Sequence, residues 1–76
     1  MRELDSRKIH RVLGRHGITV AYRNVTFDPT DFVIFLEPHD YETAKIEVLT
    51  RELMEAIPHS KIWVTRRSVS FPTALI

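Results

Sequence analysis

The spacing of apolar residues changes along this chain from a helical period to a strand period and back again. An amphipathic helix repeats its apolar positions every three to four residues, whereas a half-buried strand alternates them. Two stretches of the chain have the helical period and are separated by stretches that alternate. The helical positions are Ile9, Val12, Leu13 and His16 in the first stretch, and Ile46, Leu49, Leu53, Ala56 and Ile57 in the second. This alternation restricts the chain to folds in which helices pack on a sheet.

The boundaries of these elements follow from capping and turn residues. Asp5 is a suitable N-cap for a helix over residues 6–16, and Gly17 can adopt the left-handed conformation that ends it. Strands are predicted over residues 18–27, 32–37 and 61–66, with a turn at residues 28–31 between the first two. The second helix is predicted to begin after an N-cap at Asp40 and to stop at Pro58. A short fourth strand is predicted over residues 68–71 and is ended by Pro72.

The predicted order α-β-β-α-β(-β) indicates one small α+β domain covering residues 1–76. We expect two helices packed on one face of a three- to four-stranded, mostly antiparallel sheet. The chain contains no cysteine, so its core must hold without disulfides, which favours a reducing, cytoplasmic compartment. No apolar run is long enough to span a membrane, and the first residues lack the apolar segment of a signal peptide.

The predicted sheet has one face without helices, and that face is apolar. If the helices cover Ile18, Val20, Tyr22, Ile62 and Val64, the open face carries Val25, Phe27, Trp63 and one of the two sides of the second strand. Exposed aromatic surface of this kind is typical of a protein interface. The residues predicted to form it are Phe27, Phe35, Trp63, Leu75 and Ile76. Two alternatives stay open: residues 72–76 fold back over this face, or an edge strand pairs with a second chain.

A second candidate surface is basic. Arg7, Lys8, Arg11 and Arg15 cluster on the first helix, opposite its apolar side, and could follow a phosphate backbone. Arg66 and Arg67 form a smaller group that could bind nucleic acid in the same way. The alternative is that these long cationic side chains are the solvated outer surface of a packed helix and a strand end.

The sequence shows no pattern of catalytic or metal-binding residues. The four histidines, His10, His16, His39 and His59, do not have a recognised ligand spacing, so no metal and no cofactor is expected. The serines lie outside any nucleophile elbow, and the chain has no phosphate-binding glycine loop. An enzyme would therefore need an active site shared between subunits.

These patterns favour a non-catalytic protein-interaction or regulatory module that forms a homo-oligomer, with a homodimer as the first expectation, or binds a larger protein. A nucleic-acid-binding module that uses the basic helix is the alternative, and an enzyme with a shared site is the second alternative. No membrane partner is expected.

Overall fold

The fold is α+β, with the helices on one face of a four-stranded sheet and the predicted order α-β-β-α-β-β. The computed structural model describes residues 3–24, 31–70 and 72–76. In chain order the elements are α1 Glu3–Arg15, β1 Ala21–Asn24, β2 Asp31–Leu36, α2 Pro38–Thr43, α3 Ile46–Ala56, β3 Lys61–Arg66 and β4 Thr73–Leu75. The predicted turn at residues 28–31 and the end of the first predicted strand lie mostly outside the described residues.

The sheet is mixed, which corrects the prediction of a mostly antiparallel one. Its strands lie in the order β3-β2-β1-β4. β1 is antiparallel to β2 and to β4, whereas β2 and β3 are parallel. The reason is the connection through α2 and α3, because a helical crossover returns the chain to the same end of the sheet.

The first helix begins earlier than predicted and ends as predicted. α1 starts at Glu3, so the prediction of Asp5 as its N-cap is wrong. Asp5 lies instead in the first turn, where the helix dipole also favours a carboxylate. Gly17 has φ 72°, and its N–H and that of Ile18 bond to Gly14 O and Leu13 O at 3.1 and 3.0 Å. This pair of bonds is a Schellman motif, which fixes the left-handed turn after α1.

The second predicted helix is divided into α2 and α3 by extended backbone at Ala44. Asp40 lies inside α2, so its prediction as the N-cap is wrong. In one continuous helix Lys45 would lie one turn before the buried Leu49, on the side that faces the core. The break leaves Lys45 exposed and lets Ile46 begin the apolar stripe of α3.

The first strand presents the opposite side to the helices from the one predicted. Ala21 is 0% exposed in the core, whereas Val20 is exposed and Tyr22 lies on the far face. Ile18 and Ala21 both face the core although they are three positions apart, which a continuous strand would not allow. They do so because residues 18–20 are irregular and β1 begins only at Ala21.

The last strand is β4, not the predicted strand over residues 68–71, so Pro72 precedes it rather than ending it. β3 and β4 run in the same direction at opposite edges of the sheet.

The core fills the space between the helices and the covered face of the sheet. Its buried members are Ile9, Val12, Leu13, Ile18, Ala21, Ile34, Leu36, Leu49, Leu53, Ile57 and Ile62. Six of these eleven residues belong to the two predicted apolar stripes. They are Ile9, Val12 and Leu13 on α1, Leu49 and Leu53 on α3, and Ile57 directly after α3.

Candidate functional site

The face of the sheet away from the helices, called here the far face, carries rows of paired side chains that run across the strands. Paired residues on neighbouring strands point to the same side. Thr65, Phe35, Tyr22 and Leu75 are successive partners across the four strands and form one row. Trp63 and Val33 are partners in the next row, where the side chain of Asn24 accepts a bond from Val33 N at 3.1 Å. The far face therefore combines apolar and small polar side chains.

Exposure on the far face is concentrated at its two edges. Phe35, on a central strand, is only 7% exposed. Trp63 on β3 and Leu75 on β4 are 60% and 68% exposed. The accessible apolar surface is consequently at the edges of the sheet rather than across its whole face.

A polar corner closes one end of the far face. The guanidinium of Arg67 lies 4.1 Å from the centre of the Tyr22 ring and donates to Glu37 Oε1 at 3.1 Å. The hydrogen bond that Tyr22 makes to the Glu37 carboxylate raises the pKa of the Tyr22 hydroxyl above its ordinary value. The nearby positive charge of Arg67 opposes that rise in the pKa. Together these contacts hold Arg67 over the sheet, on the side opposite α1.

An apolar surface continues from Trp63 around the β3 edge to α3. Trp63, Met54 and Ile62 line one cavity of about 370 Å³, together with Thr50 and Lys61. Met54, 43% exposed, also lines a wide groove of about 700 Å³ on the outer side of α3, with Ile46 and Pro58 among its walls. We call this continuous surface of Ile46, Thr50, Met54, Lys61 and Trp63 the β3-edge surface.

The residues predicted to form a protein interface are divided between different places. Phe35, Trp63 and Leu75 share the far face, but β2 and β1 lie between the strands that carry the two exposed ones. Ile76 packs against the core, its N–H bonds to Ala21 O at 3.0 Å, and its main-chain oxygen lies 2.7 Å from His10 Nε2. Phe27 lies outside the described residues. Met54 was not predicted, because its position on a helix gave no sign that it would lie beside an edge strand.

The basic residues are also divided between different places. Lys8, Arg11 and Arg15 line one groove of about 240 Å³ between α1 and α3, whose floor is Val12 and Ala56. We call this set the basic groove. Arg7 is exposed on the same helix but does not line the groove. Arg66 is exposed at the end of β3, and Arg67 belongs to the polar corner.

Two further histidines contact acidic side chains that are distant in the sequence. His16 Nε2 on α1 lies 3.2 Å from Glu52 Oε1 on α3, and His59 Nε2 lies 3.6 Å from Asp5 Oδ2. In the part of the chain that the structure describes, no three histidine or acidic side chains lie together as a metal site would need. The described helices all lack the length and the apolar run that a bilayer-spanning helix needs.

Comparison of the chain with protein-family models, with curated proteins and with solved structures found no match. The surfaces described above are therefore the basis for assigning a function.

Proposed function

We propose that this domain is a non-catalytic interaction module that binds a second copy of itself through the β3-edge surface. The observation that carries the proposal is Trp63, which is 60% exposed on an edge strand. Among the described residues, β3 has a neighbouring strand on one side only, and an edge strand can pair with another chain unless charge or cover protects it. On β3 the charged side chains are only at the ends, Lys61 and Arg66.

The geometry of a sheet restricts how two copies of β3 could pair. A two-fold axis perpendicular to the sheet keeps each side chain on its own face, so the central residue must lie opposite its own copy. Centring the pair on Trp63 sets it against the partner's Trp63. The same register sets Lys61 against the partner's Thr65, so that no like charges are directly opposed within β3. Directly opposed aromatic pairs are among the favourable cross-strand contacts.

The size of this contact predicts a weak dimer. Six residues of strand are about 20 Å long, and one sheet layer with its helix is about 15–20 Å deep. The interface between two copies would therefore bury about 300–400 Å² of surface on each copy, compared with about 800 Å² on each partner in a standard interface. Burying the exposed part of Trp63, about 150 Å², contributes up to about 4 kcal/mol before the cost of association is subtracted. We expect dissociation in the micromolar range or above.

The other edge of the sheet provides a matched control. Leu75 on β4 is as exposed as Trp63, but β4 has only three residues. Replacing either residue by lysine removes an exposed apolar side chain and adds one charge at a sheet edge. Only the change at the true interface should affect association.

Light scattering after size exclusion, run over a wide range of protein concentration, tests the proposal. We expect the mass to rise from 8.9 kDa toward twice that value as concentration increases. Trp63→Lys should abolish the rise, and Leu75→Lys should leave it unchanged. A mass that stays at 8.9 kDa at the highest concentration would overturn the self-association. Loss of the dimer in Leu75→Lys alone would place the interface at β4 instead.

A further inference from the structure

The basic groove lies on the helical side of the molecule, and the β3-edge surface does not include it. α1 presents Arg7, Lys8, Arg11 and Arg15 within about 100° of its circumference, on the border of the side that packs against α3. Its buried side carries Ile9 and Leu13, both 0% exposed. The charge on this helix is therefore turned outward as one stripe.

The cations of the groove are poorly neutralised. Among the described residues, Lys8 and Arg11 form no ion pair. Arg15 Nη2 lies 3.5 Å from Glu52 Oε1, but the Arg15 side chain is largely exposed. Asp5, the acidic residue of α1 whose side chain is described, is turned inward to His59. An anionic ligand would thus meet two unpaired cations and one weakly paired cation.

The length of the stripe matches several phosphates in a row. Lys8 and Arg15 are seven residues apart, which corresponds to about 10.5 Å along a helix. One strand of a nucleic-acid duplex carries a phosphate about every 3.4 Å along its axis, so the stripe spans about three of them. The floor of the groove is Val12 and Ala56, whose short side chains leave the cations standing above it.

The surroundings favour a duplex over other anionic macromolecules. None of the described residues that line the groove is aromatic, whereas proteins that hold single strands stack bases on aromatic rings. A helix that binds a membrane surface inserts its apolar side, and that side of α1 is buried in the core. We propose that the basic groove binds the phosphate backbone of duplex nucleic acid, without reading its sequence. This proposal does not depend on the dimer proposed above.

Salt dependence gives the proposal a quantitative test. Three phosphate contacts predict a slope of about −2.7 for the logarithm of the binding constant against the logarithm of salt concentration. Fluorescence anisotropy of a labelled mixed-sequence duplex, titrated at several salt concentrations, measures that slope. The double variant Lys8→Gln with Arg11→Gln should reduce it to about −0.9. The matched control, Lys45→Gln with Arg51→Gln, removes the same charge from exposed positions outside the groove and should keep the parent slope.

Glu52→Gln tests the geometry in the opposite direction. It removes the carboxylate that holds Arg15, so binding at low salt should become about two- to fivefold tighter, as expected for loss of one exposed ion pair. This gain cannot come from unfolding, which keeps the test informative if the double variant is unstable. Equal weakening by both double variants would overturn the groove as the site. So would tighter binding to anionic phospholipid vesicles, or to the single strand, than to the duplex.

Discussion

Ala21 is the residue at which the tertiary structure and the alternation of the sequence disagree most directly. The structure places it at 0% exposure in the core, opposite Leu36 on the neighbouring strand. The alternation predicts that Tyr22 faces the helices and that Ala21 faces away. Ala21→Val distinguishes the two arrangements, because it should destabilise the observed one and be neutral or stabilising in the other.

The expected magnitude follows from the packing. Adding two methyl groups to a filled core costs about 1–3 kcal/mol, and the strand preference of valine returns up to about 1 kcal/mol. The mid-range values of these two terms give a net loss of about 1.5 kcal/mol, out of a total stability of about 4–11 kcal/mol for a domain of this length. At about 4–8 °C per kcal/mol, the melting temperature should fall by about 6–12 °C. If Ala21 faced away from the helices, valine would be neutral or stabilising.

Circular dichroism on heating and in urea, applied to the parent, Ala21→Val and Tyr22→Ala, measures these changes. A fully buried tyrosine would cost about 3–5 kcal/mol on truncation, whereas a half-buried one on the far face should cost clearly less. An unchanged or raised melting temperature for Ala21→Val, together with a larger loss for Tyr22→Ala, would refute the placement of β1. A loss in both variants with an unchanged urea slope would agree with it.

Two further predictions concern polar contacts. Glu37→Gln should lower the pKa of Tyr22 toward 10.0, because it replaces the carboxylate whose hydrogen bond raises that pKa. Phenolate absorbance in a Tyr41→Phe background measures the change. The pKa of Tyr22 is higher in the folded protein than in the unfolded chain, so the hydrogen bond to Glu37 contributes its full stability below pH 10.0. That contribution is lost as the pH rises through the folded pKa, and Glu37→Gln should reduce this alkaline loss of stability. His10→Ala removes the hydrogen bond to Ile76 O, which should lower the free energy of unfolding by about 1 kcal/mol. It should also speed hydrogen exchange at Ile76 N–H, which bonds to Ala21 O. An unchanged exchange rate would show that this contact does not hold the end of β4 in place.

The elements with the strongest local signals could be predicted from the sequence. β3 has the predicted bounds, and α3 with its C-cap residue buries Leu49, Leu53 and Ile57 from the predicted stripe. Gly17 adopts the left-handed conformation expected of it. These features depend on side chains within one or two turns or on alternate residues, so a short window of sequence contains the forces that form them.

The candidate site depended on long-range contacts and could be predicted only in part. Trp63 was predicted to be an exposed anchor from its position on the third strand, and its 60% exposure agrees with that position. Its neighbour Met54 comes from α3, because two parallel strands bring that helix over β3. Likewise, the basic residues of α1 can be recognised in the sequence. The residues of the basic groove's surroundings that come from α3 cannot: Ala56 forms part of its floor, and Glu52 pairs with Arg15.

The sequence by itself determined the class of the fold, the order of its elements, and the two stripes that build most of its core. The tertiary structure alone decided that β2 and β3 are parallel, that Ala21 rather than Tyr22 faces the helices, and that the last strand pairs with β1. The physical reason is that periodicity specifies which side of an element is apolar. The direction of neighbouring strands, and the point at which an irregular segment becomes a strand, depend on how the elements pack together.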